Sequence, residues 1–161
     1  CAARDHVPLR TRQGVVSMQE LVRSSMRLRP DRVVVGEVRG AEALDLIKVW
    51  GTGHPGGIAT IHAGSAIGAL LRLEQLILEV AVNPPRALIA EAVNVVIHIA
   101  GRGRKRRIES IARVVGFDGV GYQLVDALGV LETPFPELPP VSSAVPAAAP
   151  SLSLDPPGEL S

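Results

Sequence analysis

A glutamate at the end of a short apolar run is the first residue whose position suggests chemistry. Residues 32–36, RVVVG, predict a strand buried on both faces of a parallel sheet, and Glu37 follows directly. Ligands of open α/β sheets bind where the strands end, and a carboxylate there can hold Mg²⁺ through water or polarise a water that attacks a γ-phosphate. Arg39 could pair with a carboxylate or with phosphate oxygens. An ordinary acid–base pair in a loop is the alternative interpretation.

Two histidines flank a second apolar run, residues 56–62. His54 precedes this predicted strand and His62 ends it, parallel to Glu37 on the neighbouring strand. A histidine in that place can donate a hydrogen bond to a γ-phosphate and so report its presence. The alternatives are two structural histidines or a metal site, although no cysteine or obvious third ligand accompanies them.

Helices must position these residues. Ser17 and Glu20 have the spacing of a capping box, and Pro30 ends the helix that they begin. Ser65 can cap another helix, and the prolines at 84 and 85 can begin a short one. Two predicted helices cover residues 15–30 and 41–53. A long third helix runs from the Ser65 cap through residues 70–80, and a short fourth helix runs from the two prolines through residues 87–92.

Three further strands follow, over residues 93–101, 107–117 and 122–128, the last two joined by the turn dipeptide Asp118-Gly119. Alternating helices and strands predict an α/β fold with a mixed sheet and a terminal β-hairpin. We expect one domain over residues 1–131 and a disordered tail over 132–161. The chain carries eight of its 13 prolines from Thr133 onward.

The composition fits one domain of ordinary size. Of the 161 residues 47% are hydrophobic, and 17 basic residues nearly balance 16 acidic ones, so no whole-chain charge favours a polyanion. The single cysteine, Cys1, cannot form an internal disulfide, which suits a reducing compartment. A long uncharged stretch, residues 55–71, contains four glycines, and we expect no transmembrane helix.

Together the two stretches resemble the Walker B motif and the His box of the type II/IV secretion ATPase superfamily. The family's Asp after the Walker B arginine is replaced by Gly40, a departure that looks more like the conjugal-transfer, type IV secretion branch. The resemblance covers residues 1–128. The matching residues are Met26, Arg27, Pro30, Asp31, Val33 to Val35, Gly36, Glu37, Val38, Arg39, Gly53, His54, Thr60, His62 and Ser65.

This resemblance implies the C-terminal part of a RecA-like P-loop NTPase domain and an ATP-hydrolysing motor that powers substrate translocation or pilus assembly. Its cofactors would be ATP and Mg²⁺. Glu37 would activate water and hold Mg²⁺ through water, His62 would sense the γ-phosphate, and His54, Arg39 and Thr60 would support the nucleotide site. Family members work as homo-hexamers with the secretion or conjugation machinery, in the cytoplasm and peripheral at the inner membrane.

One family element is missing from the sequence. The chain contains no G-x-x-x-x-G-K-[ST], and its only lysines are Lys48 and Lys105. We therefore expect a C-terminal fragment without Walker A, inactive as an ATPase on its own. The alternatives are a non-catalytic truncated fragment or assembly module, or an ATPase of the type II secretion or type IV pilus branch.

A dense basic run, residues 101–107, stands apart from these motifs. It could be a solvated hairpin turn, which we favour, or a contact with a subunit, a membrane or nucleic acid. The chain has two Phe, one Tyr and one Trp, too few for a stacking platform, so direct DNA binding is not expected.

Overall fold

The described chain combines helices and strands, which confirms the predicted α/β class. The computed structural model describes residues 5–54 and 56–127. The elements in chain order are α1 (Met18–Ser25), β1 (Val34–Val35), α2 (Glu42–Gly51), β2 (Ile58–Ala59), α3 (Ala66–Leu78), α4 (Arg86–Ala92), β3 (Val95–Ala100), β4 (Arg107–Phe117) and β5 (Tyr122–Asp126).

Side-chain caps begin two of the helices where the sequence predicts them. The backbone N–H of Glu20 donates to the Ser17 hydroxyl (3.2 Å), and the Glu20 carboxylate accepts from the Ser17 N–H (2.7 Å), which confirms the capping box. The Ser65 hydroxyl accepts from the Gly68 N–H (3.1 Å) at the start of α3. Each cap satisfies a backbone donor that has no partner inside the helix, and is worth about 1 kcal/mol.

Within the described residues, five strands form two sheets. β1 and β2 are parallel, with Val34 opposite Ile58 and Val35 opposite Ala59, whereas β3, β4 and β5 are antiparallel in that order. The single mixed sheet of the prediction is therefore not formed within the described residues. The reason is that β1 and β2 are each only two residues long and pair there only with each other.

Burial of β1 corrects a second expectation. Val35 is 5% exposed and faces the helices, but Val34 is 65% exposed, so the strand is buried on one face only. Successive strand residues point to opposite faces, and no described residue covers the face that carries Val34 and Ile58. The core lies on the other side, where fully buried side chains each stabilise the fold by roughly 1.5–3 kcal/mol. They are Leu46, Ile47, Leu70, Leu76, Ile77 and Ile89.

The predicted terminal hairpin is present as β4 and β5. Its turn is held by the Asp118 carboxylate, which accepts from the backbone N–H groups of Val120 (2.8 Å) and Gly121 (2.9 Å). These hydrogen bonds, the one from Gly121 first, hold the pKa of Asp118 below its usual value. The predicted tail, residues 132–161, lies outside the described residues.

In the part of the chain that the structure describes, no helix is both long and apolar enough to cross a membrane.

Candidate functional site

The parallel pairing of β1 and β2 brings Glu37 and His62 together. Beyond the strands, the Val38 N–H donates to the Thr60 carbonyl (2.9 Å), and the Thr60 hydroxyl donates to the Gly36 carbonyl (2.6 Å). Parallel strands present their carboxyl ends at the same edge of a sheet. Thr60 therefore fixes the two loops against each other by both its backbone and its side chain.

The Glu37 carboxylate lies within ion-pair distance of two cationic or potentially cationic groups. Its Oε1 lies 2.9 Å from His62 Nε2, and its Oε2 accepts from the Arg39 guanidinium. The hydrogen bond from Arg39 is the largest cause that lowers the pKa of Glu37, and it outweighs the opposing effect of desolvation. Glu37 is half-buried while Arg39 and His62 are exposed. The lowered pKa favours the ionised carboxylate, and the exposed side chains of its two partners can turn toward solvent.

Arg72 completes an open groove around this carboxylate. The groove is lined by Glu37, Val38, Arg39, Ile61, His62 and Arg72. Arg72 Nη1 donates to the neutral Gln75 amide oxygen (3.1 Å), and no described carboxylate forms an ion pair with it. The groove therefore presents one carboxylate, two guanidinium groups and an imidazole, a set that suits phosphate oxygens.

Arg72 was not among the residues predicted from the sequence. A signal was available, because Arg72 follows the helix cap Ser65 by seven residues, close to two turns of helix. That spacing puts Arg72 on the same face of α3 as the cap, next to the loop that carries His62.

Glu42 is a second site residue that the sequence did not indicate. It is buried in the first turn of α2, and its Oε1 accepts from the backbone N–H groups of Arg39 (2.7 Å) and Gly40 (3.1 Å). A carboxylate in the first turn is favourable in the field of the helix. Glu42 therefore holds the backbone of the loop from which Arg39 reaches Glu37.

His54 lies away from this groove. It lines a second cleft with residues that precede β1 and β2, whereas Glu37 and His62 follow those strands. Because the strands are parallel, the two clefts are at opposite ends of the sheet. The buried His54 Nδ1 makes no hydrogen bond within the described residues. Its predicted support of the nucleotide site stays a prediction, since His54 does not line the groove that holds Glu37. The rest of this cleft is formed by Met26, Arg29, Pro30, Asp31, Arg32 and Gly53.

The donor set around Glu37 limits how a metal could bind. Among the described residues, no group of three or more His, Cys, Asp or Glu side chains is placed to hold a metal ion. Mg²⁺, however, is usually bound by one or two carboxylates together with water and substrate phosphates. Glu37 as the single carboxylate fits that mode, with water between it and the ion, but a cage made of protein ligands alone does not fit.

The sequence matches the family model described as type II/IV secretion system protein over residues 5–110. It is 46% identical over 123 residues to the conjugal transfer protein TrbB of Rhizobium radiobacter, covering 76% of this chain and 38% of that protein. It is 35% identical over 113 residues to the type IV secretion system protein PtlH of Bordetella pertussis, covering 65% of this chain and 33% of that protein.

The fold is similar to the crystal structure of the VirB11 ATPase from the Brucella suis type IV secretion system in complex with sulphate. The TM-score is 0.55 at 33% sequence identity, and the match covers 61% of this chain and 32% of that one. The chain thus spans between 32% and 38% of the length of these relatives.

Proposed function

This chain belongs to the type II/IV secretion system protein family, and from that premise we propose that it supplies the acidic edge of the nucleotide site in an ATP-driven motor of conjugal transfer or type IV secretion. The observation that carries the proposal is the contact between Glu37 and His62 at the ends of two parallel strands, in a groove with two arginines. The name of the VirB11 ATPase supports ATP as the nucleotide. The names of the TrbB and PtlH relatives support conjugal transfer or type IV secretion rather than the type II branch.

Glu37 is the general base of the proposal. Both of its oxygens are occupied, one by Arg39 and the other by His62. Each oxygen has a second lone pair for an attacking water, but both partners favour the ionised carboxylate, so Glu37 accepts a proton more readily when one partner leaves. Arg39 is suited to do so because its side chain is exposed and can exchange the carboxylate for a phosphate oxygen. A bound nucleotide would in this way release Glu37 for catalysis.

His62 and Arg72 would contact the phosphates from the other side of the groove. His62 Nε2 now faces Glu37, and a γ-phosphate placed beside it would compete for that nitrogen, which is how His62 would sense the nucleotide. Mg²⁺, when bound, would neutralise charge on the phosphate oxygens, with Glu37 holding it through water. Thr60 would keep Glu37 and His62 in register through its two hydrogen bonds to the Gly36–Val38 segment.

The remaining parts of the proposal come from the family. The phosphate-binding loop, whose sequence pattern does not occur in these 161 residues, would be supplied by residues other than these. The motor would be a homo-hexamer in the cytoplasm, peripheral at the inner membrane and docked on the secretion or conjugation machinery. A RecA-like domain would be completed in that assembly.

Measurement of ATP hydrolysis and ATP binding tests the proposal. In a full-length protein that contains these residues, Glu37→Gln should lower turnover by about 10²–10⁴-fold while ATP binding is retained, because the loss of a general base affects chemistry more than binding. Glu91→Gln is the matched control, since Glu91 is an exposed glutamate on α4, and it should leave turnover unchanged. The 161-residue chain alone should show negligible turnover.

Three results would contradict this proposal. Unchanged turnover of the Glu37→Gln protein would remove Glu37 from catalysis. Failure of the full-length protein to bind ATP would favour the non-catalytic assembly module instead. Mg²⁺-dependent turnover by the 161-residue chain would show that the phosphates need no loop from elsewhere.

A further inference from the structure

The connection between β3 and β4 is an ordered turn that carries most of the cationic charge of this hairpin. Two backbone hydrogen bonds close it, from Lys105 N–H to the Arg102 carbonyl (3.0 Å) and from Arg106 N–H to the Gly103 carbonyl (3.3 Å). Gly101 begins the turn with φ +86°, and a Cβ there would fall 2.9 Å from the carbonyl carbon of Lys105, so the turn depends on glycine. We call residues 102–107 the basic tip.

The basic tip has little internal charge compensation. From Val95 to Phe117 the hairpin carries six Lys or Arg residues and one carboxylate, Glu109. Glu109 pairs with Arg107 (3.3 Å) and lies 3.3 Å from His98. All residues of the basic tip are exposed, and within the described residues Arg102, Arg104, Lys105 and Arg106 form no ion pair. A concentrated positive field therefore faces solvent.

Exposed aliphatic side chains lie directly beside these cations. Ile97, Ile99 and Ile108 are 52%, 59% and 57% exposed, and Ile99 pairs with Ile108 across the two strands. Ile97 and Ile99 alternate along β3 with more buried residues, and Ile108 lies opposite Ile99, so all three belong to the outer face of the sheet. Water-exposed isoleucines in a contiguous cross-strand pair indicate an interaction surface rather than scattered surface apolar residues.

We propose that the basic tip together with Ile97, Ile99 and Ile108 is a contact surface for an anionic lipid membrane. Lipid headgroups attract the cations, and the boundary between headgroups and acyl chains accepts the isoleucines, so one partner matches both features. Duplex nucleic acid would match only the cations. Single-stranded nucleic acid needs aromatic platforms, and between Val95 and Gly116 the sequence has none.

This surface goes beyond the proposed nucleotide function, because none of its residues lines the Glu37 groove. It gives a physical basis to the inner-membrane location that forms part of that proposal. Each anionic lipid contact is sensitive to salt, because the Debye length falls from about 10 Å at 0.1 M to about 3 Å at 1 M salt. The isoleucine contribution is not screened in this way.

Co-sedimentation with vesicles tests the proposal, using phosphatidylcholine vesicles with and without about 30% phosphatidylglycerol, the anionic lipid that the basic residues should attract. The test variant carries Arg102→Gln, Arg104→Gln and Lys105→Gln. It should lower the partition coefficient on anionic vesicles by on the order of 100-fold, at about fivefold per basic residue near the surface.

The matched control carries Arg10→Gln, Arg12→Gln and Lys48→Gln, which removes the same residue types and charge from exposed positions elsewhere. It should lower the coefficient by less than about threefold.

A second variant, Ile99→Thr with Ile108→Thr, separates lipid from other polyanions. It keeps β-branched residues on the strands and removes four side-chain carbon atoms. If about two of these carbons are buried in the membrane interface, vesicle binding should fall about tenfold. Binding of a DNA duplex of about 20 base pairs should not depend on it, since duplex DNA attracts the cations alone. The proposal is overturned if the unaltered chain binds anionic and neutral vesicles equally. It is also overturned if the two triple variants have the same partition coefficient on anionic vesicles. A third contradicting result is a DNA duplex that binds more tightly than the vesicles and loses as much affinity when the basic tip is substituted. Glu37→Gln should leave vesicle binding unchanged, so failure here is distinct from failure of the nucleotide proposal.

Discussion

Gly57→Ala is a sharp test of how α2 and β2 are packed behind the site. Trp50, near the end of α2, lies against Gly57 just before β2. A Cβ at residue 57 would fall 2.6 Å from Trp50 Cε2 and 2.7 Å from Cδ1, and closer still to Nε1. Such approaches do not occur between a real Cβ and its neighbours, so the indole or the strand must move. Trp50 Nε1 also donates to the Val33 carbonyl (3.4 Å), and a displaced indole would lose that bond.

The expected cost follows from these contacts. Overpacking typically lowers the free energy of unfolding by about 1–3 kcal/mol. The hydrogen bond from Trp50 to Val33 is long, so its loss adds a small contribution of about 0.5 kcal/mol. Trp50 is half-buried, so its indole can turn partly into solvent. We therefore expect the free energy of unfolding to fall by about 2 kcal/mol, or the Tm by about 10 °C for a domain of this size. Because β2 leads to His62, the distance from His62 Nε2 to Glu37 should change as well.

Urea unfolding followed by far-UV circular dichroism measures this cost. Since Trp50 is the only tryptophan in the chain, its fluorescence reports movement of the indole directly. Gly64→Ala is the control, because a Cβ there meets nothing within 4 Å, and it should cost less than about 0.5 kcal/mol. In a Trp50→Leu background Gly57→Ala should also cost less than about 0.5 kcal/mol. Equal cost in both backgrounds would show that the clash with Trp50 is not the cause.

Three other predictions concern the charged groups. Arg86→Leu should lower the free energy of unfolding by about 2 kcal/mol, because the Glu74 side chain, only 8% exposed, loses the Arg86 partner that lies 3.0 Å away and is itself 50% exposed. Adding Glu74→Leu should recover part of that loss in urea unfolding, because no unpaired buried charge then remains. Simple addition of the two single-variant losses would contradict this. Glu42→Ala should lower the free energy of unfolding by about 2 kcal/mol, because two backbone N–H groups lose their acceptor. The control Glu91→Ala, at an exposed glutamate, should lower it by less than about 0.5 kcal/mol in the same urea unfolding measurement. The pKa of Glu37 should lie below the usual value for glutamate. The stability that its ion pairs give is therefore fully present when the pH is above that usual pKa, and it is lost as the pH falls through the lowered pKa. Carboxyl-carbon NMR should show Arg39→Gln moving the Glu37 midpoint upward, and an unmoved midpoint would remove Arg39 as the cause.

Local chemistry explains which features the sequence predicts well. The caps at Ser17 and Ser65 depend on residues three positions away, so they follow from the sequence alone. Glu37 and His62 could be placed together because each ends an apolar run and parallel strands share an edge. Their catalytic and sensing roles are not tested by this geometry.

Features that depend on tertiary packing were not predictable. The run of valines in β1 does not tell which face the helices cover, so Val34 was expected to be buried. His54 and His62 flank β2 symmetrically in sequence, yet a strand separates its two ends in space, and His54 falls into the other cleft. The spacing from Ser65 places Arg72 on the same face of α3 as the cap, but the distance of that face from Glu37 depends on how α3 packs.

The charge of the groove explains how a glutamate can work beside a polyphosphate. A lone carboxylate next to phosphate oxygens would raise the energy of the bound nucleotide by like-charge repulsion. Here Arg39 neutralises Glu37 before the nucleotide arrives, and Arg72 has no described ion-pair partner to give up. If Arg39 turns to the phosphates as they bind, Glu37 becomes free at the moment when the cation is needed elsewhere. In the proposed mechanism Arg39 would link phosphate binding to release of the base, and this would give the departure from the family's Asp at Gly40 a consequence. The position next to Arg39 carries no second carboxylate that could hold Arg39 back.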